Sequence, residues 1–205
     1  KREYTFSSEP ANVNHLCASY YAQDFVSKRS RKSTVLSIEP ISKFFLEQYS
    51  LAKPNLEGTF RTDEVLYNPR KSGAFVEKLK ELAPDLKFVP LAGMTQEQLV
   101  KKYSSAKLYV DFGPFPGAER MPKEAVLFGC AVITGRNGAS NYYGDVPISD
   151  EYKFADFQNQ TSEIIEKIRK ILVNYDSRIS DFDAYRKTVL GLEENFIESL
   201  KEVLQ

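Results

Sequence analysis

Lys107-Leu-Tyr-Val-Asp-Phe-Gly-Pro-Phe-Pro-Gly-Ala-Glu-Arg-Met-Pro-Lys-Glu-Ala-Val-Leu-Phe-Gly-Cys-Ala-Val-Ile-Thr134 reads as strand, rigid loop, short helix and strand. Its first apolar run, Leu108 to Phe112, stops at a loop set by Gly113, Pro114, Pro116 and Gly117, and its last, Ala131 to Thr134, is β-prone. A loop between a strand and the following helix is where an α/β sheet holds a phosphorylated ligand, because the helix N–H groups point into it. Here that junction carries Arg120 and Lys123 close by.

The same alternation runs outward from this stretch. Val65 to Tyr67 and Leu86 to Leu91 read as further strands, and Gly73 to Leu82, Thr95 to Tyr103 and Pro122 to Phe128 read as the helices that follow strands. Strand-helix repetition predicts an α/β fold: a Rossmann-like parallel sheet with right-handed crossovers and helices on both faces. Thr161 to Val173, Asp181 to Leu190 and Leu192 to Leu204 read as helices, with a core-facing stripe of Ile164, Ile168 and Ile171. Upstream, Val13 to Ser27 reads as an amphipathic helix, Ser33 to Ser37 as a short strand and Ile41 to Tyr49 as a helix, with the basic run Ser27 to Ser33 as a solvated turn. The organisation expected is residues 1–60 as the closing segment of an upstream domain, 61–190 as the Rossmann-like domain and 191–205 as a C-terminal helix.

Composition narrows the function classes. With 205 residues, 42% hydrophobic, 27% charged and a net charge of zero, the chain is a globular domain whose bulk charge does not suit nucleic acid. Any attraction for an anion must be local. Cys17 and Cys130 lack metal-ligand spacing and suggest a reducing compartment. No apolar run approaches the length of a membrane span, and the first residues lack the apolar stretch of a signal peptide. His15, the only histidine, has no serine or cysteine motif placed to partner it, so a catalytic dyad is not expected. With no GxxxxGK[ST] loop, no GxGxxG after a strand and no Asp-rich motif, a P-loop nucleotidase and a dinucleotide dehydrogenase lose ground.

In an open parallel sheet, ligands bind outside the carboxyl ends of the strands. The four junctions there are Asn68-Pro-Arg-Lys-Ser-Gly73, Ala92-Gly-Met94, Gly113 to Arg120, and Gly135-Arg-Asn-Gly138. Three of them set Arg or Lys beside Gly, which lets a backbone approach a ligand while supplying positive charge. Arg70 and Lys71 are candidates to neutralise a diphosphate in the crevice. Cations near a helix N-terminus, where acidic residues are usual, make sense around an anion. Glu124, one turn into that helix, can accept hydrogen bonds from vicinal hydroxyls such as those of a ribose. An acidic cluster or flavin loop, which a flavodoxin-like or response-regulator-like domain needs, is replaced by cations.

Val65 to Lys153 resembles the C-terminal, donor-binding domain of GT-B glycosyltransferases, and is similar to the retaining group 1 (GT4-like) family that includes many lipopolysaccharide and capsule enzymes. The matching pieces are Tyr67 to Gly73, Pro90-Leu-Ala-Gly-Met94, Tyr109 to Gly117, and Arg120 to Thr134. The last looks like the family's glutamate helix: Glu-Ala, apolar residues, Gly, a small residue and Val-Ile.

The resemblance implies the donor half of a GT-B fold. Arg70, Lys71, Gly117, Ala118 and Arg120 would lie at the donor diphosphate, Glu124 at the ribose, and Pro90, Gly93 and Met94 near the base. Phe115, Pro116 and Glu119 would be near the sugar. Pro116 stands where the family has a second glutamate, seven residues intervening, so sugar recognition differs there. It further implies transfer from a nucleotide-diphosphate sugar to a glycan or lipid-linked acceptor, in polysaccharide or lipopolysaccharide biosynthesis. No metal or other cofactor is expected, and the place is the cytoplasm or the periphery of the membrane's inner face. Ser19 to Val26 and Leu36 to Ile41 look like the end of the acceptor-binding N-terminal domain, so this chain alone is expected to be incomplete for catalysis. The alternative is a non-catalytic nucleotide-binding or protein-interaction module on the same fold.

Overall fold

The computed structural model describes residue 6, residues 9–10, 12–56 and 59–204, with the side chains of 53–56 left aside. Five strands, β3 (Thr62–Tyr67), β4 (Lys87–Pro90), β5 (Ala106–Asp111), β6 (Ala131–Gly135) and β7 (Lys153–Phe154), form one parallel sheet in the order β4-β3-β5-β6-β7. Connections run one way from β3 to β4 and the other way from β5 onward. The order therefore reverses between β3 and β5, which is the switch point where a doubly wound sheet opens a crevice.

The central strands carry apolar runs because both faces are covered: Val65, Leu66, Leu108, Val110, Val132 and Ile133 are fully buried. Helices α3 (Pro69–Leu82) and α6 (Thr161–Val173) share one face, where Lys78 Nζ donates to the Gln158 carbonyl and Arg169 pairs with Asp85. Helices α4 (Gln96–Ser105), α5 (Arg120–Leu127) and α8 (Asp183–Leu204) cover the other. The α/β reading thus holds, with strands in the expected places.

Helix starts shift where capping chemistry decides them. Asn68 accepts the Arg70 N–H at 3.0 Å and Pro69 follows, so α3 begins four residues before Gly73. Thr95 and Gln98 form a capping box on α4. The expected helix from Val13 is corrected: β1 (His15–Cys17) pairs in parallel with β2 (Thr34–Leu36), and α1 (Tyr20–Ser27) starts only after Ser19, whose extended backbone and Oγ bond to the Ala22 N–H cap it. Gly191 does not interrupt the tail. Helix α8 runs through it unbroken, so the boundary drawn at 190/191 falls inside a helix.

Described residues upstream of β3 join the same core. On α2 (Lys43–Leu56), Phe45 and Tyr49 meet Phe128 edge-on, each at 6.2 Å between ring centroids. The buried Asp145 carboxylate accepts the Tyr20 and Tyr21 N–H groups at 2.7 and 3.0 Å, which pins the start of α1 to the sheet domain. At the opposite end, Arg61 is buried and donates to the carbonyls of Tyr103, Ala106 and Phe128, satisfying the ends of α4 and α5.

Candidate functional site

Because α3 begins at Pro69, Arg70 and Lys71 lie in a helix and diverge. Arg70 is exposed, whereas Lys71 turns inward. Its Nζ sits 3.1 Å from Glu119 Oε2, 3.6 Å from Asp111 Oδ2 and 4.4 Å from the centroid of the Phe115 ring. Asp111, at the end of β5, is held by three donors: Ser72 Oγ at 3.2 Å, Tyr109 OH at 3.2 Å and the Gly113 N–H at 3.0 Å. Ser72 Oγ in turn accepts the Phe112 N–H at 2.9 Å. This hub locks the first turn of α3 onto the end of β5.

The loop from Gly113 to Ala118 is gripped from two sides. A Cβ on Gly113 would lie 2.5 Å from Lys71 Cβ, so only glycine permits that approach of helix and strand end. After β6, Asn137 Nδ2 donates to the carbonyls of Phe112 and Gly113 at 3.2 and 3.3 Å. Gly138 takes a φ of +64°, and the next N–H, of Ala139, donates to the Phe115 carbonyl at 2.9 Å. Between α3 and these loops lies a cavity of about 720 Å³. Lys71 and Arg136 supply cations to its wall, and Phe75, Phe112 and Phe157 form an aromatic group with centroids 4.8 to 5.5 Å apart.

Of the residues selected from sequence, Lys71, Phe115 and Pro116 line this cavity. Gly117, Ala118 and Glu119 continue its loop as half-buried residues, and Arg120 opens α5 as an exposed side chain. Glu119 occupies the α5 N-cap position, yet its side chain makes no cap bond and reaches Lys71 instead. Glu124 is not in the cavity wall. It is buried beneath α5, where Tyr103 OH donates to Oε2 at 3.3 Å. Burial raises its carboxyl above the ordinary carboxylate value, against the pull of Arg120. Pro90 closes β4, and Gly93 and Met94 stand just beyond it: Pro90 and Gly93 are exposed, and Met94 packs on the core. None of the three lines the cavity.

The pair of cations expected at the α5 N-terminus is split. Arg120 points outward, while Lys123 is buried and donates to the Glu39 carbonyl at 2.7 Å, its pKa lowered to about 8 by burial. That bond ties α5 to the segment before α2. Sequence reasoning passed over Arg136, Asn137, Phe75, Phe112 and Phe157 as site residues. The Gly135-Arg-Asn-Gly138 junction was a visible signal for the first two. Nothing local in the sequence marks Phe157, which reaches the cavity from the connection to α6. His15 Nε2 lies 3.1 Å from Glu9 Oε2 and 3.3 Å from Ser30 Oγ, so acid and hydroxyl share one ring nitrogen and cannot form a relay. Among the described residues no cluster of three or more His, Cys, Asp or Glu could hold a metal ion, and no helix is long and apolar enough to cross a membrane.

The arrangement can present one ammonium, one guanidinium and the N–H groups of an α5 end lacking a side-chain cap to an anion, with aromatic faces alongside. No family model and no curated protein matches the chain. Among solved structures, it is similar at 11% identity to the catalytic domain of starch synthase IV from Arabidopsis thaliana bound to ADP and acarbose, with a TM-score of 0.49 over 92% of this chain and 56% of that one. It is also similar, again at 11% identity, to AviGT4, a glycosyltransferase involved in avilamycin A biosynthesis, with a TM-score of 0.44 over 86% and 62% of the two chains. The chain thus spans less than two thirds of either structure's length, and likeness at this level says nothing of its chemistry.

Proposed function

We propose that the chain is the donor-binding half of a glycosyltransferase, holding the nucleotide-diphosphate portion of a sugar donor at the carboxyl edge of its sheet. The observation that carries this reading is the convergence, at the switch point, of the Lys71 ammonium, the Gly113–Ala118 loop and the α5 N-terminus. In the proposal Lys71 faces the diphosphate from the cavity wall, the exposed Arg70 and Arg120 flank its open side, and the Gly117 and Ala118 N–H groups lie beside it. Glu124 takes the ribose hydroxyls, Pro90, Gly93 and Met94 border the base, and Phe115, Pro116 and Glu119 border the sugar. Charge developing on the leaving diphosphate is stabilised by these cations and the helix end, with no metal required. The acceptor is a glycan or lipid-linked sugar, supplied with its site by a second domain, in cytoplasmic polysaccharide or lipopolysaccharide assembly.

Burial of Glu124 supports a role beyond packing, because a carboxylate under a helix is unfavourable for stability and here it keeps only a tyrosine hydroxyl as a hydrogen-bond partner among the described residues. Calorimetric titration of UDP and GDP into the wild-type protein, Lys71→Ala and Glu124→Ala tests the assignment. Each substitution is expected to weaken binding by about tenfold or more, the loss of one charge-assisted contact. Unchanged affinity in both variants removes the donor-site reading.

A further inference from the structure

We infer that Glu119 is a built-in counter-anion: its carboxylate occupies the place on Lys71 that a phosphate group of the ligand takes when it binds, and it must swing out for binding to occur. The inference rests on the proposed nucleotide site and adds the device that sets its affinity.

Lys71 faces two carboxylates of unlike character. Asp111 is 1% exposed and fixed by the hub of Ser72, Tyr109 and Gly113, so it is a permanent part of the floor. Glu119 has a side chain 26% exposed and is held, among the described residues, only by the ammonium 3.1 Å away. As the N-cap residue it could bond the first N–H groups of α5, but its side chain leaves them without a cap. Nor does Lys71 Nζ form a well-directed hydrogen bond, although it is shielded from solvent. An ammonium with no directed bond, beside a helix end with no cap, is an anion seat filled by a poorly fitting carboxylate.

Charge accounting points the same way. Two carboxylates against one ammonium leave the seat net negative, so a diphosphate would meet repulsion while Glu119 stays in place. Rotating Glu119 into solvent, which its exposure permits, leaves Lys71 with Asp111 alone and opens the α5 N–H groups.

Titration of inorganic pyrophosphate and of UDP into the full chain at low ionic strength tests this in five proteins: wild type, Glu119→Gln, Glu119→Ala, Lys71→Met and the double variant of Glu119→Gln with Lys71→Met. Glu119→Gln is expected to bind pyrophosphate about tenfold more tightly than wild type, and Lys71→Met at least about tenfold more weakly. In the Lys71→Met background the gain from Glu119→Gln should fall to about threefold or less, since the pair to be broken no longer exists. Glu119→Ala, which removes the charge without keeping the shape, should reproduce the gain. Equal or weaker pyrophosphate binding by both Glu119 variants, while Lys71→Met still loses affinity, overturns the role of Glu119 and leaves the nucleotide site standing. Absence of pyrophosphate and UDP binding in every protein overturns both.

Discussion

Substituting Gly113 and Gly117 separately by alanine distinguishes a glycine required by packing from one available to a ligand. A Cβ at Gly113 would stand 2.5 Å from Lys71 Cβ, 3.0 Å from its carbonyl oxygen and 3.1 Å from its carbonyl carbon. Ordinary carbon contacts begin near 3.5 Å, so the first turn of α3 would have to retreat by about 1 Å. A retreat of that size stretches the Ser72–Asp111 and Phe112–Ser72 hydrogen bonds, now 3.2 and 2.9 Å, beyond useful length. Overpacking of this kind costs about 1–3 kcal/mol and each lost bond about 1 kcal/mol, so Gly113→Ala is expected to destabilise by about 2–4 kcal/mol. At about 2–4 °C per kcal/mol for a chain of this size, the melting temperature should fall by roughly 5–15 °C. Gly117 has nothing within 4 Å of the same position, and Gly117→Ala should stay within about 0.5 kcal/mol of wild type. Urea unfolding and thermal melts of the three proteins side by side measure the contrast. Equal stability of the two variants would refute the close approach of α3 to the loop, and with it the placement of Lys71.

Three further variants probe groups buried against their chemistry. Arg61→Met leaves the Tyr103, Ala106 and Phe128 carbonyls without their donor and should cost at least about 2 kcal/mol in urea unfolding, and a stability matching wild type would contradict the role of its guanidinium. Lys123 and Lys153 are both pushed down to about 8 by burial, so between pH 8 and their ordinary 10.5 the unfolded chain binds more protons than the folded one and stability rises with pH. Wild type should therefore gain on the order of 1–2 kcal/mol between about pH 8 and 9.5, and a Lys123→Met, Lys153→Met double variant should show a flatter profile; matching slopes would contradict the burial of these ammonium groups. Glu124→Gln keeps a partner for Tyr103 and removes a carboxylate whose pKa burial has raised. It should stabilise the protein by about 0.5–1 kcal/mol at neutral pH. That advantage should shrink on acidification, because the wild-type carboxyl contributes stability at low pH and loses it as pH rises past 4.5 through its raised value.

Apolar runs and Gly-Pro loops were enough to read the parallel sheet. Val65 to Tyr67, Leu108 to Phe112 and Ala131 to Thr134 are buried on both faces, so composition alone marks them. Strand β7 escaped because two residues carry no pattern, and β1 because His15 to Cys17 owes its conformation to pairing with Thr34 to Leu36, nineteen residues away in register. The cationic junctions were legible, but side-chain direction was not. The Asn68 cap fixes where α3 starts, and that start decides that Lys71 faces inward and Arg70 outward. Lys123 was visible as a cation at a helix start; its engagement with Glu39 depends on how α2 docks, which no local pattern records. Likewise the Lys71–Glu119 contact joins helices some fifty residues apart.

Backbone amide shifts on addition of UDP or GDP to the isotope-labelled 23.4 kDa protein give the most direct test of the switch-point site. Perturbations centred on Lys71, on residues 113–120 and on residues 135–138, and attenuated in Lys71→Met, are the predicted result. Perturbations centred instead on the separate cleft lined by Asp150, Lys153, Glu163 and Lys167, or none with either nucleotide in large excess, would contradict it.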